Sequence, residues 1–501
     1  MTKHISRRIF LGGTAGFVAG GLGSSLLANA PERSLRPVAR SASFLRELQK
    51  PAEELLEAAK LGGRVGFAVA DVATGKLLEE HEPAIGQPPA SVAKALTAAY
   101  GLDVLGAGFR FETQVVATGS IVEGVIQGDL VLIGGGDPTL NTDGLSQLAA
   151  KLKEAGVKGV KGVFKVWGGA LPHLRDIDQS QPDHVGYNPA VSGLNLNHNR
   201  VHFEWKRANG SYAVTMQART ESHRPNVRMA KMQVIARDIP VYTYEDRAGL
   251  DNWTVAKGAL GKGGARWLPV RKPEIYAGEV FQSLAHAQGI KLTAPVISEA
   301  RIDGQKLASI QSAPLLKILK DMLKWSTNLT AEVVGLTASQ KRSGRPMTSL
   351  AASADLMNKW AKESFETQSM ALVDHSGLGD KSRISARDMM QALRLLREAG
   401  ELKPLLKPFR MLDKKRKVIA DHPLSVHAKT GTLNFVSGLA GYVDLPDGRE
   451  LVFAIFAANL DKRASLKKSE RERPPGGREW NRRAKGLQQA LIERWGIVYS
   501  G

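Results

Sequence analysis

A serine and a lysine stand three residues apart in Ser91-Val92-Ala93-Lys94, at the head of an apolar stretch that reads as a helix. One helical turn brings two such side chains onto one face, within hydrogen-bonding reach. The helix N-terminus favours negative charge developing at the serine oxygen. This pairing suits acyl transfer, with Ser91 as the acylated nucleophile and Lys94 as the base that takes its proton. Alone it is weak, because average composition yields about one or two Ser-x-x-Lys matches per 500 residues. Two further motifs strengthen it. Ser326-Thr327-Asn328 follows a predicted helix, and Lys429-Thr430-Gly431 accompanies a predicted strand. Ser326 can relay a proton to a leaving amine, while Asn328 can hold Lys94 and a substrate amide. Lys429 and Thr430 offer charge and hydroxyl to a terminal carboxylate. A lysine serves as a base only when its pKa is lowered, and Lys429 as a neighbouring cation is expected to do this to Lys94. Gly431 is expected to leave room for a peptide backbone to pair along its strand. Backbone N–H groups of Ser91 and Thr432 would form the oxyanion hole. Such chemistry calls for no metal and no organic cofactor.

The elements that must position these groups lie at both ends of the chain. Phe44 to Ala59 has helical spacing and is ended by Gly62-Gly63. Arg64–Asp71 and Lys76–Glu80 read as a hairpin around Ala73-Thr74-Gly75, and Pro88-Pro89-Ala90 halts the chain before a helix over Ser91–Leu105. From Phe109 to about Ile302 the texture is strand-rich, with Gln147–Ala155 as a helix candidate. Helical patterns return at Pro314–Lys324, Thr330–Ser343, Leu350–Phe365 and Ser385–Ala399. A hairpin over Ser437–Asp444 and Leu451–Ala458 and a helix near Asn481–Trp495 follow. The pattern predicts an α/β (α+β) domain interrupted by a long, mostly-β insertion.

At about 150 residues per domain, 501 residues allow roughly three domains. Hydrophobic residues at 43% and charged residues at 24% exclude a disordered chain or a multi-span membrane protein. The absence of cysteine excludes disulfides, thiolate metal sites and thiol catalysis. Sixty-nine Lys and Arg against 49 Asp and Glu give a formal charge of +20, which suits nucleic acid, anionic lipid or an acidic wall polymer as neighbour. Arg7-Arg8 precedes an uncharged, glycine-diluted apolar run from Ile9 to Ala28. Residues 1–30 therefore read as a twin-arginine signal peptide, cut after Ala28-Asn29-Ala30, with residues 31–42 as a linker. Pro31 is awkward for a signal peptidase, so an uncleaved anchor is the alternative. Export to the periplasm removes nucleic acid from the expected partners. Gly134-Gly135-Gly136 lacks the Gly-Lys-Ser/Thr of a P-loop, and His198 with His202 lacks a zincin glutamate, so neither marks a site. Lys414–Lys417 reads as a solvated run. Lys462–Lys485 holds ten Lys/Arg against three Glu, with Pro474-Pro475-Gly476-Gly477 at its centre. It is expected to be a loop, non-helical at that centre, that meets an anionic membrane or wall surface.

Ser-x-x-Lys, Ser-x-Asn and Lys-Thr-Gly, in that order, are the set of the penicillin-recognising serine enzymes. The flanking text, Pro89-Ala90-Ser91-Val92-Ala93-Lys94-Ala95-Leu96-Thr97-Ala98, Gly135-Gly136-Asp137-Pro138-Thr139-Leu140, Ser326-Thr327-Asn328-Leu329-Thr330-Ala331-Glu332, Asp374-His375-Ser376-Gly377-Leu378 and His427-Ala428-Lys429-Thr430-Gly431-Thr432-Leu433, is more specific. From Phe44 to Trp495 the chain resembles the low-molecular-mass D-alanyl-D-alanine carboxypeptidase/endopeptidase family of penicillin-binding protein 4. That resemblance implies a β-lactamase/transpeptidase-like domain over 43–106 and 305–501. It also implies an inserted domain over 107–205 and 270–304, with a third domain nested in it over 206–269. The implied activity is a D-Ala-D-Ala carboxypeptidase on peptidoglycan stem peptides, with β-lactams as covalent inhibitors. A DD-endopeptidase using the same residues and a catalytically silent wall-binding protein are the alternatives. A β-lactamase fits less well, for want of a glutamate-bearing loop to drive deacylation. Two departures stand out: His375 replaces a usual glycine and is expected to reshape the cleft wall, and the basic 462–485 segment is not a family feature.

Overall fold

The computed structural model describes residues 49–500, so the expected signal peptide, the linker and the start of the first predicted helix lie outside the described residues. Helix α1 (Ala52–Ala59) ends at Lys60, which turns left-handed, and the Gly62-Gly63 pair releases the chain into the principal sheet. That sheet has five strands: β1 (Arg64–Asp71), β2 (Leu77–His81), β3 (Ser425–Leu433), β4 (Val436–Asp444) and β5 (Glu450–Ala458). Their spatial order is β3-β4-β5-β1-β2. All neighbours are antiparallel, and β1 runs against β5 from Arg64↔Ala458 to Asp71↔Leu451. The sheet thus joins both halves of the described chain. Its hydrophobic runs are buried on both faces, because helices cover both.

On one face lie α2 (Ala93–Leu105), α3 (Leu315–Trp325), α4 (Asn328–Ser343), α5 (Leu350–Phe365) and α6 (Ala386–Ala399); α1 and α7 (Gly477–Val498) cover the other. Helix α2 is apolar all round and is buried over nearly its whole length, as the central rod of the helical layer. Helix α3 is amphipathic instead, burying Leu315, Ile318, Leu319, Met322 and Leu323 while Lys320 and Lys324 face outward. Full burial of each large apolar side chain contributes about 1.5–3 kcal/mol, so the α3 stripe alone anchors the approach to Ser326.

The insertion holds a second five-stranded sheet, with 305–311 at one edge beside 112–117, then 130–134, 164–167 and 296–297. Helices Thr142–Glu154 and Pro273–Ala287 pack on it. Beyond it stand two three-stranded sheets, one centred on Arg200–Ala208 and one on Leu250–Ala256. Three expectations need correction. Strand Gln305–Gln311 pairs with Glu112–Ala117, so the chain returns to the principal domain after 311 rather than at 305. The boundary drawn at 205/206 cuts strand Arg200–Ala208, whose two partners belong to the nested unit. Pro273–Ala287 is a helix inside the region read as strand-rich, with Pro273 in its first turn.

Candidate active site

Ser91 sits in a single 3-10 turn, Ala90–Val92, that runs directly into α2. Ala90 has a positive φ of 47°, a strained setting for a residue with a Cβ, and the turn is held by its fit against β3. A side chain at Gly431 would lie 2.5 Å from the Pro89 carbonyl and 3.1 Å from Ser91 N. Glycine at 431 therefore lets the serine turn press onto the strand. The expectation that it clears space for substrate is corrected: the missing side chain faces the enzyme's own backbone.

Lys94 is wholly buried. Its Nζ lies 3.0 Å from Ser91 Oγ, 2.7 Å from Asn328 Oδ1 and 2.8 Å from the Ser376 carbonyl. A neutral amine can give two of these contacts its hydrogens and turn its lone pair to the Ser91 hydroxyl. Burial lowers the Lys94 pKa to about 8, against the upward pull of Glu332 and Asp374. Desolvation, not the Lys429 charge expected from the sequence, is the main cause. Lys429, buried on β3, is itself held well below the usual lysine value, first by burial and then by the Lys94 and Lys407 ammonium groups. Its Nζ reaches Ser326 Oγ at 3.0 Å and the Thr430 carbonyl at 2.8 Å. Ser326 caps α3 in the left-handed conformation, φ 60° and ψ 41°, and α4 begins two residues later at Asn328. That sharp turn places Ser326 on Lys429 and Asn328 on Lys94. Ser91, Ser326, Asn328 and Thr432 line one cleft of about 360 Å³.

Several groups at this site were not anticipated. Glu332, one turn beyond Asn328 on α4, is fully buried and accepts hydrogen bonds from the backbone N–H groups of His375 and Ser376, both at 2.9 Å. Burial and the Asp374 charge push its pKa up to about 8. Asp374, also raised by burial, accepts from the N–H groups of Gly377 and Gly379. Together they shape the turn that offers Lys94 the Ser376 carbonyl. A glutamate at helical spacing from Asn328, inside an otherwise buried helix, was the available signal. Tyr187 of the insertion orients Asn328 by accepting its Nδ2–H at 2.9 Å on the backbone carbonyl, a contact with no local signature. His375 does not shape the cleft wall as expected. Its ring is buried under α4 and α5, bonded to Ser353 Oγ at 2.7 Å, and burial lowers its pKa to about 3. The ring occupies the space a side chain at Gly335 would need, 2.1 Å from that Cβ position.

The basic segment is also corrected. It contains a short helix, Leu460–Ala464, a 3-10 turn, Lys468–Glu470, and the start of α7. Arg463 and Arg471 line the cleft and both bind Asp380, Arg463 through Nε at 3.1 Å and Arg471 at 2.9 Å. Burial pushes the Asp380 carboxyl up, but the two guanidinium groups hold it below its usual value. Glu472 then reaches the insertion, with His184 and Arg266 each at 2.7 Å. The segment is a strap across one end of the cleft. Among the described residues no group of His, Asp and Glu is arranged to hold a metal ion; His198 is half-buried and His202 buried, each with an Nδ1 that has no hydrogen-bond partner, and burial lowers both pKa values.

The D-Ala-D-Ala carboxypeptidase 3 (S13) family matches residues 48–472. A D-alanyl-D-alanine carboxypeptidase of Actinomadura sp. (strain R39) is 28% identical over 449 residues, covering 83% of this chain and 81% of its own. The D-alanyl-D-alanine carboxypeptidase DacB of Haemophilus influenzae is 24% identical over 412 residues, 79% of this chain and 85% of its own. The crystal structure of penicillin-binding protein 4 (dacB) from Haemophilus influenzae superimposes with a TM-score of 0.69 at 22% identity, over 85% of this chain and 98% of that one. One turn anchored by two carboxyl groups, two buried lysines and an apposed serine on each thus sit in a shared fold, and the chain belongs to the D-Ala-D-Ala carboxypeptidase 3 (S13) family of serine peptidases.

Proposed function

We propose that this protein is a serine D-Ala-D-Ala carboxypeptidase that releases the terminal D-Ala of peptidoglycan stem peptides through an acyl-enzyme on Ser91. One observation carries this reading: the amine of the buried Lys94, its pKa lowered to about 8, lies 3.0 Å from Ser91 Oγ. The neutral amine takes the Ser91 proton as the oxygen attacks the carbonyl of the penultimate D-Ala. Backbone N–H groups of Ser91 and Thr432 receive the oxyanion. As the tetrahedral intermediate collapses, Ser326 gives its hydroxyl proton to the leaving amine and takes the proton held on the Lys94 ammonium in its place, with Lys429 Nζ 3.0 Å from the Ser326 oxygen. Lys429 and Thr430 hold the terminal carboxylate of the departing residue. Water then hydrolyses the ester along the same proton path, with no metal or organic cofactor in the scheme. A β-lactam would take the place of acyl-D-Ala-D-Ala, its carboxylate at Lys429 and Thr430. The relatives' names support this substrate, and the Haemophilus influenzae protein is known as a complex with a β-lactam.

The sequence before residue 31 supports export to the periplasm by the twin-arginine route, and an Arg7→Lys, Arg8→Lys variant should then stay in the cytoplasmic fraction. The exposed cations of the 462–485 segment support contact with an anionic membrane or wall surface. The chemistry is tested by intact-mass analysis after penicillin treatment, with peptide mapping, and by release of free D-Ala from muropeptides. One adduct on Ser91, absent in Lys94→Ala, is expected, with a rate loss of about 10³-fold or more in that variant. An adduct elsewhere, or full acylation without Lys94, would overturn the reading.

A further inference from the structure

Beside the cleft, on the Lys429 side, the structure has a second cavity of about 470 Å³. Lys320 and Lys324 of α3, Lys407, Arg410 and His427 line it, together with the apolar side chains of 404–408. No carboxylate lines it, and none of these lysines or the arginine forms an ion pair among the described residues. Lys320, Lys324, Lys407 and Arg410 are all exposed. His427 has a buried Nδ1 with no hydrogen-bond partner. Four cations around an apolar lining, with no neutralising acid, form a receptor for an anionic group on an apolar body.

Its placement says which body. The segment 407–409 pairs with β3 at 426–428, through Phe409 N–H to the Val426 carbonyl at 2.8 Å and Ala428 N–H to the Lys407 carbonyl at 3.2 Å. No strand pairs with the outer edge of 429–433 among the described residues, so substrate can lie only there, and the cavity opens where that edge is closed. Its α3 lining, Lys320 and Lys324, also lies within two helical turns before Ser326. On the peptidase reading Ser326 and Lys429 handle the departing amine and its carboxylate, which leaves the acyl side to the other end of β3, where Thr432, Leu433 and Asn434 line the cleft. Anything bonded to the departing residue therefore extends toward the basic cavity. Trp325, 68% exposed between Lys324 and Ser326, offers a flat apolar surface at that boundary.

We infer that this cavity is a binding site for the carboxylate-bearing peptide on the departing side of the scissile bond, the acceptor stem of a cross-linked wall fragment. The inference rests on the peptidase reading above and adds a substrate-selecting site outside the catalytic groups. Its charges act at the rim, so their effect is on capture and is screened by salt.

The test compares wild type with Lys320→Glu, Arg410→Glu on a D-Ala-D-Ala stem monomer and on a cross-linked muropeptide dimer. Binding of intact dimer to each protein carrying Ser91→Ala is read by calorimetry. The expected result is a loss of about tenfold in dimer kcat/KM and in dimer affinity, corresponding to about 1.4 kcal/mol. D-Ala release and penicillin acylation should stay within about twofold, as rim charges act on capture alone. Raised salt should erase the wild-type advantage for the dimer. Equal losses on both substrates, no loss on the dimer, or a loss confined to binding of anionic lipid vesicles would overturn the inference. If wild type neither acylates nor releases D-Ala, the peptidase reading fails, and the calorimetric comparison still decides the site.

Discussion

Lys94 must be neutral to accept a proton, yet it lies among two carboxyl groups that favour its charged form. Below its pKa of about 8 the amine is protonated, so kcat/KM should rise with pH through an acid limb near that value. Glu332, its pKa also raised to about 8, titrates together with Lys94, and Glu332→Gln deletes the carboxylate whose ionised form raises the Lys94 pKa, so the limb should move to lower pH. The same change leaves one of two backbone N–H donors facing an amide N–H, costing about 1–3 kcal/mol of stability. A pH profile of penicillin acylation separates the two effects, since lost packing alone lowers the rate without moving the limb. Gly335→Ala makes a different kind of test. Its methyl group would overlap the His375 ring, and thermal unfolding should show a loss of about 1–3 kcal/mol, largely recovered when His375→Gly is added. The two serines and two lysines of the three motifs were legible because their chemistry and order are encoded locally. Glu332 and Asp374 stood in the quoted motif text without a role, because their work is to hold backbone N–H groups of a turn that only the fold brings to them. The Gly431 hydrogen was read as space for substrate because its true neighbour, Pro89, is remote in sequence.

Helices α2 to α7 and the hairpin β4–β5 follow apolar spacing closely, since each presents one dry face or is dry all round. Pro273–Ala287 carries the same kind of spacing, in Tyr276, Val280 and Leu284, but it was absorbed into the strand-rich texture read over the whole insertion. The strap was misread for another reason. A run of lysine and arginine looks solvated unless its partner is known, and Asp380 lies more than eighty residues upstream in sequence. Asp380 is the only acid that Arg463 and Arg471 share among the described residues, so Asp380→Asn leaves two partly buried cations unpaired. The expected cost is on the order of 3 kcal/mol. Limited proteolysis should then cut within 465–476 much faster than in wild type, and KM for stem peptides should rise while penicillin still acylates Ser91. An unchanged cleavage rate would show that Glu472, held by His184 and Arg266, secures the strap unaided.

At the scale of the molecule, an α/β domain with a nested β-rich insertion was legible from texture. Its borders were not, because a strand's domain is decided by its pairing partner, as Gln305–Gln311 shows by joining Glu112–Ala117. The charge of +20 has a molecular consequence as well. Lys462, Lys467, Arg473, Arg478, Arg482 and Lys485 remain exposed after Arg463 and Arg471 turn inward. Co-sedimentation with anionic vesicles or wall sacculi should be strong at low salt and fade as the screening length shortens to about 8 Å near physiological ionic strength. Binding that ignores salt would rule out this electrostatic contact. The pairing of β1 with β5 carries a further consequence, in time rather than space. Its partners are about 400 residues apart, whereas a hairpin such as Arg200–Ala208 with Ser211–Gln217 closes over a few residues. During synthesis Ser91 and Lys94 leave the ribosome on the order of half a minute before Lys429. Throughout that interval Ser91 has no β3 to press against and Lys94 no second lysine to meet. The principal domain can assemble only once β3, β4 and β5 have arrived, so Ser91 and Lys94 meet Ser326 and Lys429 only when the last large hairpin docks, and the newborn chain lacks its cleft until the fold is finished.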